Sequence, residues 1–150
     1  MDMIRARAWW VLVAISVLIG LFGVTDVLIG ASADPGIPQG LTGKTPAELE
    51  AESASAYRMF DFTVRSQGLL LVTVSLVLTA ILVVPYRAGE RWAWNVAWVL
   101  PAWAVVAAAL FVVVGLAAGQ SPPPPLVSGP IITFVSVMVL LWDRRRFARG

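Results

Sequence analysis

The chain has 150 residues, 59% of them hydrophobic and only 13% charged, with a formal net charge of +2. Four apolar runs of about 20 residues each would take up most of that length, so one membrane domain is expected, with no room for a soluble domain beside it. The small net charge argues against nucleic acid as a partner. The absence of cysteine and histidine removes disulfides, the usual ligands of zinc, haem and iron–sulfur clusters, and the imidazole base, so no cofactor and no enzymatic activity are expected.

The first span is expected over residues 8–31, with Arg5 and Arg7 before it. Ser16, Gly20, Gly23, Asp26 and Gly30 recur along it at helical spacing and form a stripe of small and polar side chains. Ala31, Ser32 and Ala33 have the small-x-small form of a signal-peptidase site. The apolar run is longer than a usual signal-peptide core, and Asp26 is an unusual approach to cleavage, so an uncleaved helix is expected.

Residues 32–59 form the first and longest connection. Its proline- and glycine-rich start, from Ala33 to Gly40, reads as irregular backbone. Thr45, Pro46 and Glu48 then supply a capping box with proline at the first helical position, predicting a short helix outside the membrane from Pro46. No glycine or proline follows before Gly68, so this helix would run into the second span or bend near the membrane surface. Glu48, Glu50 and Glu52 lack the spacing of a calcium loop and read as the acids of a solvated helix start.

The second span is expected over residues 60–86. Arg58, Asp61, Arg65, Gly68, Val72, Ser75 and Thr79 lie along one of its faces. Asp26 and Ser16 are as far apart in the first span as Arg65 and Ser75 in the second, about 15 Å of helical rise. An antiparallel pairing that sets Ser16 beside Ser75 therefore brings Asp26 level with Arg65. A charge below the membrane interface is costly unless paired, which predicts an Asp26–Arg65 ion pair with Arg58, Asp61 and Gln67 nearby. Gly20, Gly23, Gly68 and Ser75 are the expected packing residues of this helix pair.

The third span is expected over residues 92–118, with a kink at Pro101, whose ring nitrogen cannot bond the Ala97 carbonyl. Asn95 could bond a neighbouring helix, and Ala102, Ala104, Ala108 and Ala109 offer close-packing surface. Gly119 to Pro125, including Gln120, reads as a stiff polyproline spacer. The fourth span is expected over residues 126–143, with a fresh start near Ser128-Gly129-Pro130 and with Thr133 and Ser136 as polar contacts between helices. Trp142-Asp143-Arg144-Arg145-Arg146-Phe147 reads as an interfacial anchor.

Eight basic residues (Arg5, Arg7, Arg87, Arg91, Arg144, Arg145, Arg146 and Arg149) fall on one side of the four crossings and three (Lys44, Arg58 and Arg65) on the other. The positive-inside rule then puts both termini in the cytoplasm, with Trp9, Trp10, Trp92, Trp94 and Trp142 at that interface of the cell membrane. The fold class is all-α, a polytopic membrane four-helix bundle with an extra-membrane helix in the first outer loop. The turn from Tyr86 to Trp94, together with Arg65-Ser66-Gln67-Gly68, resembles a pattern in small four-helix bacterial membrane proteins of the DoxX-like group. That resemblance implies a four-helix bundle and assigns no catalytic residue. The leading expectation is a non-enzymatic accessory or packing subunit whose partners are the bilayer and either a second copy or another membrane protein. The second is a protein that binds or transports a lipid or small molecule through the outer-leaflet cluster.

Overall fold

The computed structural model describes residues 8–119 and 121–147; Arg5, Arg7, Gln120 and Arg149 lie outside them. Long uninterrupted apolar runs become helices because a helix satisfies every backbone polar group internally, as hydrocarbon demands. Helix α1 is Trp9–Ile29 and closes in a tight turn over Gly30–Ser32. Two short helices follow, α2 (Gly36–Thr42) and α3 (Pro46–Glu52). Helix α4 (Ala54–Ile81) continues through a wide π turn, Leu82–Tyr86; α5 (Arg91–Ala97) and α6 (Val99–Val114) make the third span, and α7 (Pro124–Phe147) the fourth. The shortest of the four apolar segments has 24 residues, about 36 Å of helix against a hydrocarbon core of about 30 Å. The protein is a multi-pass, all-α membrane protein. Its large outward side chains, among them Leu21, Leu69, Val112 and Val113, are apolar and exposed, as a lipid-facing surface requires.

The first connection is more ordered than its composition suggests. Thr45 and Glu48 form the reciprocal capping box: the Thr45 hydroxyl accepts from the Glu48 amide at 3.3 Å, and the Glu48 carboxylate accepts from the Thr45 amide at 2.7 Å. Of the two courses expected after α3, a straight run into the second span or a bend before it, the straight run does not occur, and the chain breaks at Ser53. Ser53 adopts extended backbone, and its hydroxyl caps a new helix by accepting from the Ala56 amide. The segment expected to be irregular contains α2, started by the Asp34 carboxylate accepting from the Gly36 amide. Tertiary contact holds α2 in place: Pro38 and Gly40 are buried, a Cβ on Gly40 would lie 3.0 Å from the Pro123 ring, and the Gly40 carbonyl accepts from the Ala117 amide at 2.8 Å.

The fourth helix likewise begins earlier than expected and does not restart at Ser128-Gly129-Pro130. Prolines are tolerated in a first helical turn, where their missing amide would have no partner anyway, so Pro124 opens α7 and Pro130 is carried inside it. The expected polyproline spacer is shortened accordingly. The third span stops at Val114, where Gly115 turns the chain at φ 88°, short of residue 118.

The bundle is built as two antiparallel pairs, α1 with α4 and α6 with α7. In the first pair the Ser16 hydroxyl donates to the Ser75 carbonyl at 3.1 Å and the Ser75 hydroxyl to the Ser16 carbonyl at 2.6 Å, while Thr79 donates to the Ser16 hydroxyl at 3.1 Å. Further along, a Cβ on Gly23 would meet the Gly68 carbonyl at 2.7 Å, and one on Gly68 would meet the Asp26 Cβ at 2.6 Å. A Cβ on Gly20 would strike the Ser75 hydroxyl. Small residues bring the backbones together, and packing plus interhelical hydrogen bonds hold them where lipid removes any hydrophobic drive. In the second pair Gly129 packs on Ala104 and Ala108. Ala102 and Ala109 are exposed instead, Asn95 faces outward, and the Thr133 and Ser136 hydroxyls are buried with no hydrogen-bond partner, so neither makes the expected polar contact.

The two pairs meet at the end of the bundle that carries both described chain ends. Trp9, Leu12, Leu82, Tyr86, Ala93, Ala97, Leu140 and Phe147 form the buried core there. Pro85 cannot donate into the helix ladder, and the turn around it widens to a π turn that delivers Tyr86 inward. The Tyr86 hydroxyl donates to Asp143 at 3.0 Å, the Trp94 indole donates to the Leu140 carbonyl at 3.0 Å, and Arg146 reaches the Arg87 carbonyl. Arg87 lies over the Trp9 ring at 5.7 Å. Asp143, expected as part of a surface anchor, is thus buried. The third span is interrupted at Trp98, three residues before the buried Pro101, where the missing proline amide removes the bond to Ala97.

Candidate functional site

The five polar residues expected to cluster at the loop end separate into two groups and an outlier. Arg65 and Asp61, one turn apart on α4, are joined by an Nε to Oδ2 bond of 2.8 Å. The Arg65 guanidinium also donates to the carbonyls of Val27 at 2.7 Å, Leu28 at 3.2 Å and Ile29 at 3.2 Å. Asp61 in turn accepts from the Ala31 amide at 2.9 Å. The last carbonyls of any helix have no intrahelical donors and carry the negative end of its dipole. A guanidinium with five donors meets that need at the end of α1. Gly30, at φ 75°, turns the chain beneath it, and any Cβ there would collide with the Asp61 carboxylate and Arg65.

The expected Asp26–Arg65 ion pair is not formed. The two residues are level in depth, as the Ser16–Ser75 and Gly23–Gly68 contacts require, but every Cα–Cβ bond leans toward its own helix N-terminus. On antiparallel helices those directions are opposite, so Arg65 reaches toward the loop end and Asp26 toward the middle of the bundle, where its Cβ lies over Gly68. Arg58 is exposed and joins neither group.

Asp26 and Gln67 instead line a cavity of about 480 Å³ between the two helix pairs in the loop half of the bundle. One wall is Ile19, Phe22 and Leu71 of the first pair; the other is Trp103, Ala107, Phe111 and Ile132 of the second. Ile37 and Leu41 of α2, with Pro124 and Pro125, close it toward the loops. The volume falls within the range of about 300–1,000 Å³ usual for small-molecule sites, and the apolar lining with a few polar groups is their usual chemistry. Neither the Asp26 carboxylate nor the Gln67 amide has an intramolecular hydrogen-bond or ion-pair partner among the described residues.

Composition does not reveal this cavity. The available signals were the small residues Ala107 and Gly129 on facing helices and the break before Pro101, which precedes the cavity-lining part of the third span. Outside the membrane-spanning segments, Glu48 is held below the ordinary carboxylate range, chiefly by the Thr45 amide and then by the Thr45 hydroxyl. It is fully exposed, and it marks a helix start rather than a binding site. Comparison of the chain with protein-family models, with curated proteins and with solved structures gives no match, so the functional reading rests on geometry.

Proposed function

We propose that this is a non-enzymatic membrane protein that holds an amphiphilic molecule between its two helix pairs, in the leaflet beside its long connecting loop. The cavity of about 480 Å³ carries this reading: apolar walls suit an alkyl chain, and two polar side chains without internal partners suit a headgroup. The excess of arginine beside the chain ends supports placing both termini in the cytoplasm of a cell membrane, which makes the cavity an outer-leaflet site. The DoxX-like resemblance of the 86–94 turn agrees with the four-span architecture and assigns no role to a residue. A purely packing role is the second reading, favoured by the glycine-lined contact between α1 and α4.

Retention of a radiolabelled neutral tetradecyl glycoside by the purified protein in maltoside micelles separates the two. The parent is expected to retain the probe, and Ala107→Trp, which fills the cavity, to lose it. Equal retention by parent and variant would remove the binding reading and leave the packing one.

A further inference from the structure

We infer that the occupant of this cavity bears an alkyl-linked ammonium group, with Asp26 as its counter-ion; the inference rests on the amphiphile-binding reading above. Two of the lining residues, Asp26 and Asp34, are carboxylic acids, and none is lysine or arginine among the described residues. The basic residue at the same depth, Arg65, is committed elsewhere, to Asp61 and the carbonyls of Val27, Leu28 and Ile29. A carboxyl on a membrane helix that faces a protein cavity and has no internal partner stays neutral by keeping its proton or is held ionised by a positive charge from outside the chain, and a cation is the ligand that gains from the second state. The aromatic rings of Phe22, Phe60 and Trp103 also border the space and offer electron-rich faces to a cation. An anionic headgroup would meet repulsion and, among the described lining residues, no cationic donor. A neutral one would gain nothing from the charge that Asp26 can carry. A cationic headgroup on an apolar chain satisfies the carboxylate and the walls together.

The required chemistry is available either from a free amphiphilic amine or from the ammonium headgroup of a membrane lipid. Binding of radiolabelled tetradecyltrimethylammonium is measured beside the neutral tetradecyl glycoside, on bead-immobilised protein in maltoside micelles, with Ala107→Trp as the blank. The cation is expected to bind roughly tenfold tighter than the neutral probe. Asp26→Asn, which keeps the side-chain volume, should bring the cation to the level of the neutral probe measured on the same variant, while Asp26→Glu should retain the preference. Phosphatidylethanolamine competing where phosphatidylglycerol does not would identify a lipid as the source of the ammonium; no competition by either would identify a free amine. Equal binding of cation and neutral probe, or a preference that survives Asp26→Asn, overturns the inference while leaving the cavity reading intact. Binding of neither probe above the blank overturns the cavity reading itself.

Discussion

Asp26 and Arg65 stand at the same depth on adjacent antiparallel helices and reach in opposite directions. Depth alone would make them an ion pair. The lean of helical side chains toward their own N-termini makes them two separate devices: Arg65 with Asp61 closes the end of α1, and Asp26 faces the cavity.

A double-mutant cycle distinguishes these arrangements. Arg65 and Asp61 are expected to couple, whereas Asp26 and Arg65 are not. Arg65→Ala should cost about 1.5–2 kcal/mol in micelles, the lower part of the range for charged hydrogen bonds, because its side chain is 42% exposed. The accompanying loss of amide protection should be confined to residues 29–33, read by hydrogen exchange. Asp26→Asn should leave the same amides protected. Strong Asp26–Arg65 coupling would contradict the geometry.

The contact between α1 and α4 has no spare volume at its glycines. Gly23→Val and Gly68→Val each insert atoms where even a Cβ lies under 3 Å from the opposing helix, and overpacking of this kind costs about 1–3 kcal/mol or more. Thermal unfolding in micelles should show both variants destabilised, and an unchanged midpoint in either would contradict the close approach of the two helices.

At the closed end, Tyr86→Phe removes the hydroxyl that donates to buried Asp143. The expected cost is about 1–3 kcal/mol, the penalty for withdrawing one partner from a buried polar group. Chemical denaturation of both proteins measures it, and an unchanged midpoint would refute a structural role for the bond.

The Glu48 cap should respond to acid. Its carboxyl titrates below the ordinary value of 4.5 in the folded chain, so the stabilisation it brings is present above the unfolded value and is lost as pH falls through the lower, folded one. The Thr45 amide resonance, followed by NMR, should therefore move with a midpoint under 4.5, and Glu48→Gln should abolish that titration. The effect stays local to α3, because the group is wholly exposed.

The parts of the molecule set by local chemistry were legible in the sequence. Uncharged runs located the four spans, Thr45-Pro46-Ala47-Glu48 announced a helix start, and matched spacings of polar residues set Ser16 against Ser75. Features that depend on a distant segment were not legible. Nothing within Gly36–Thr42 announces a helix, since what holds it is Pro123, far along the chain. Pro85 lies at the end of an apolar run, yet its effect is to aim Tyr86 at a carboxylate on the fourth span. Periodicity gave the depth of Asp26 and its face, while the direction of its side chain depends on the polarity of the helix that carries it. The cavity is a relation between two helix pairs, and no single segment encodes it.

The two helix pairs are fastened to each other at both ends, by the Tyr86–Asp143 junction at one and at the other by α2, whose Gly40 carbonyl bonds the Ala117 amide and whose backbone lies against Pro123. Mechanically the helices around the cavity are beams clamped at each end rather than arms on a hinge. Sideways pressure from the lipid bows such beams only slightly, so the gap between Phe22 and Trp103 resists crowding as long as both clamps hold.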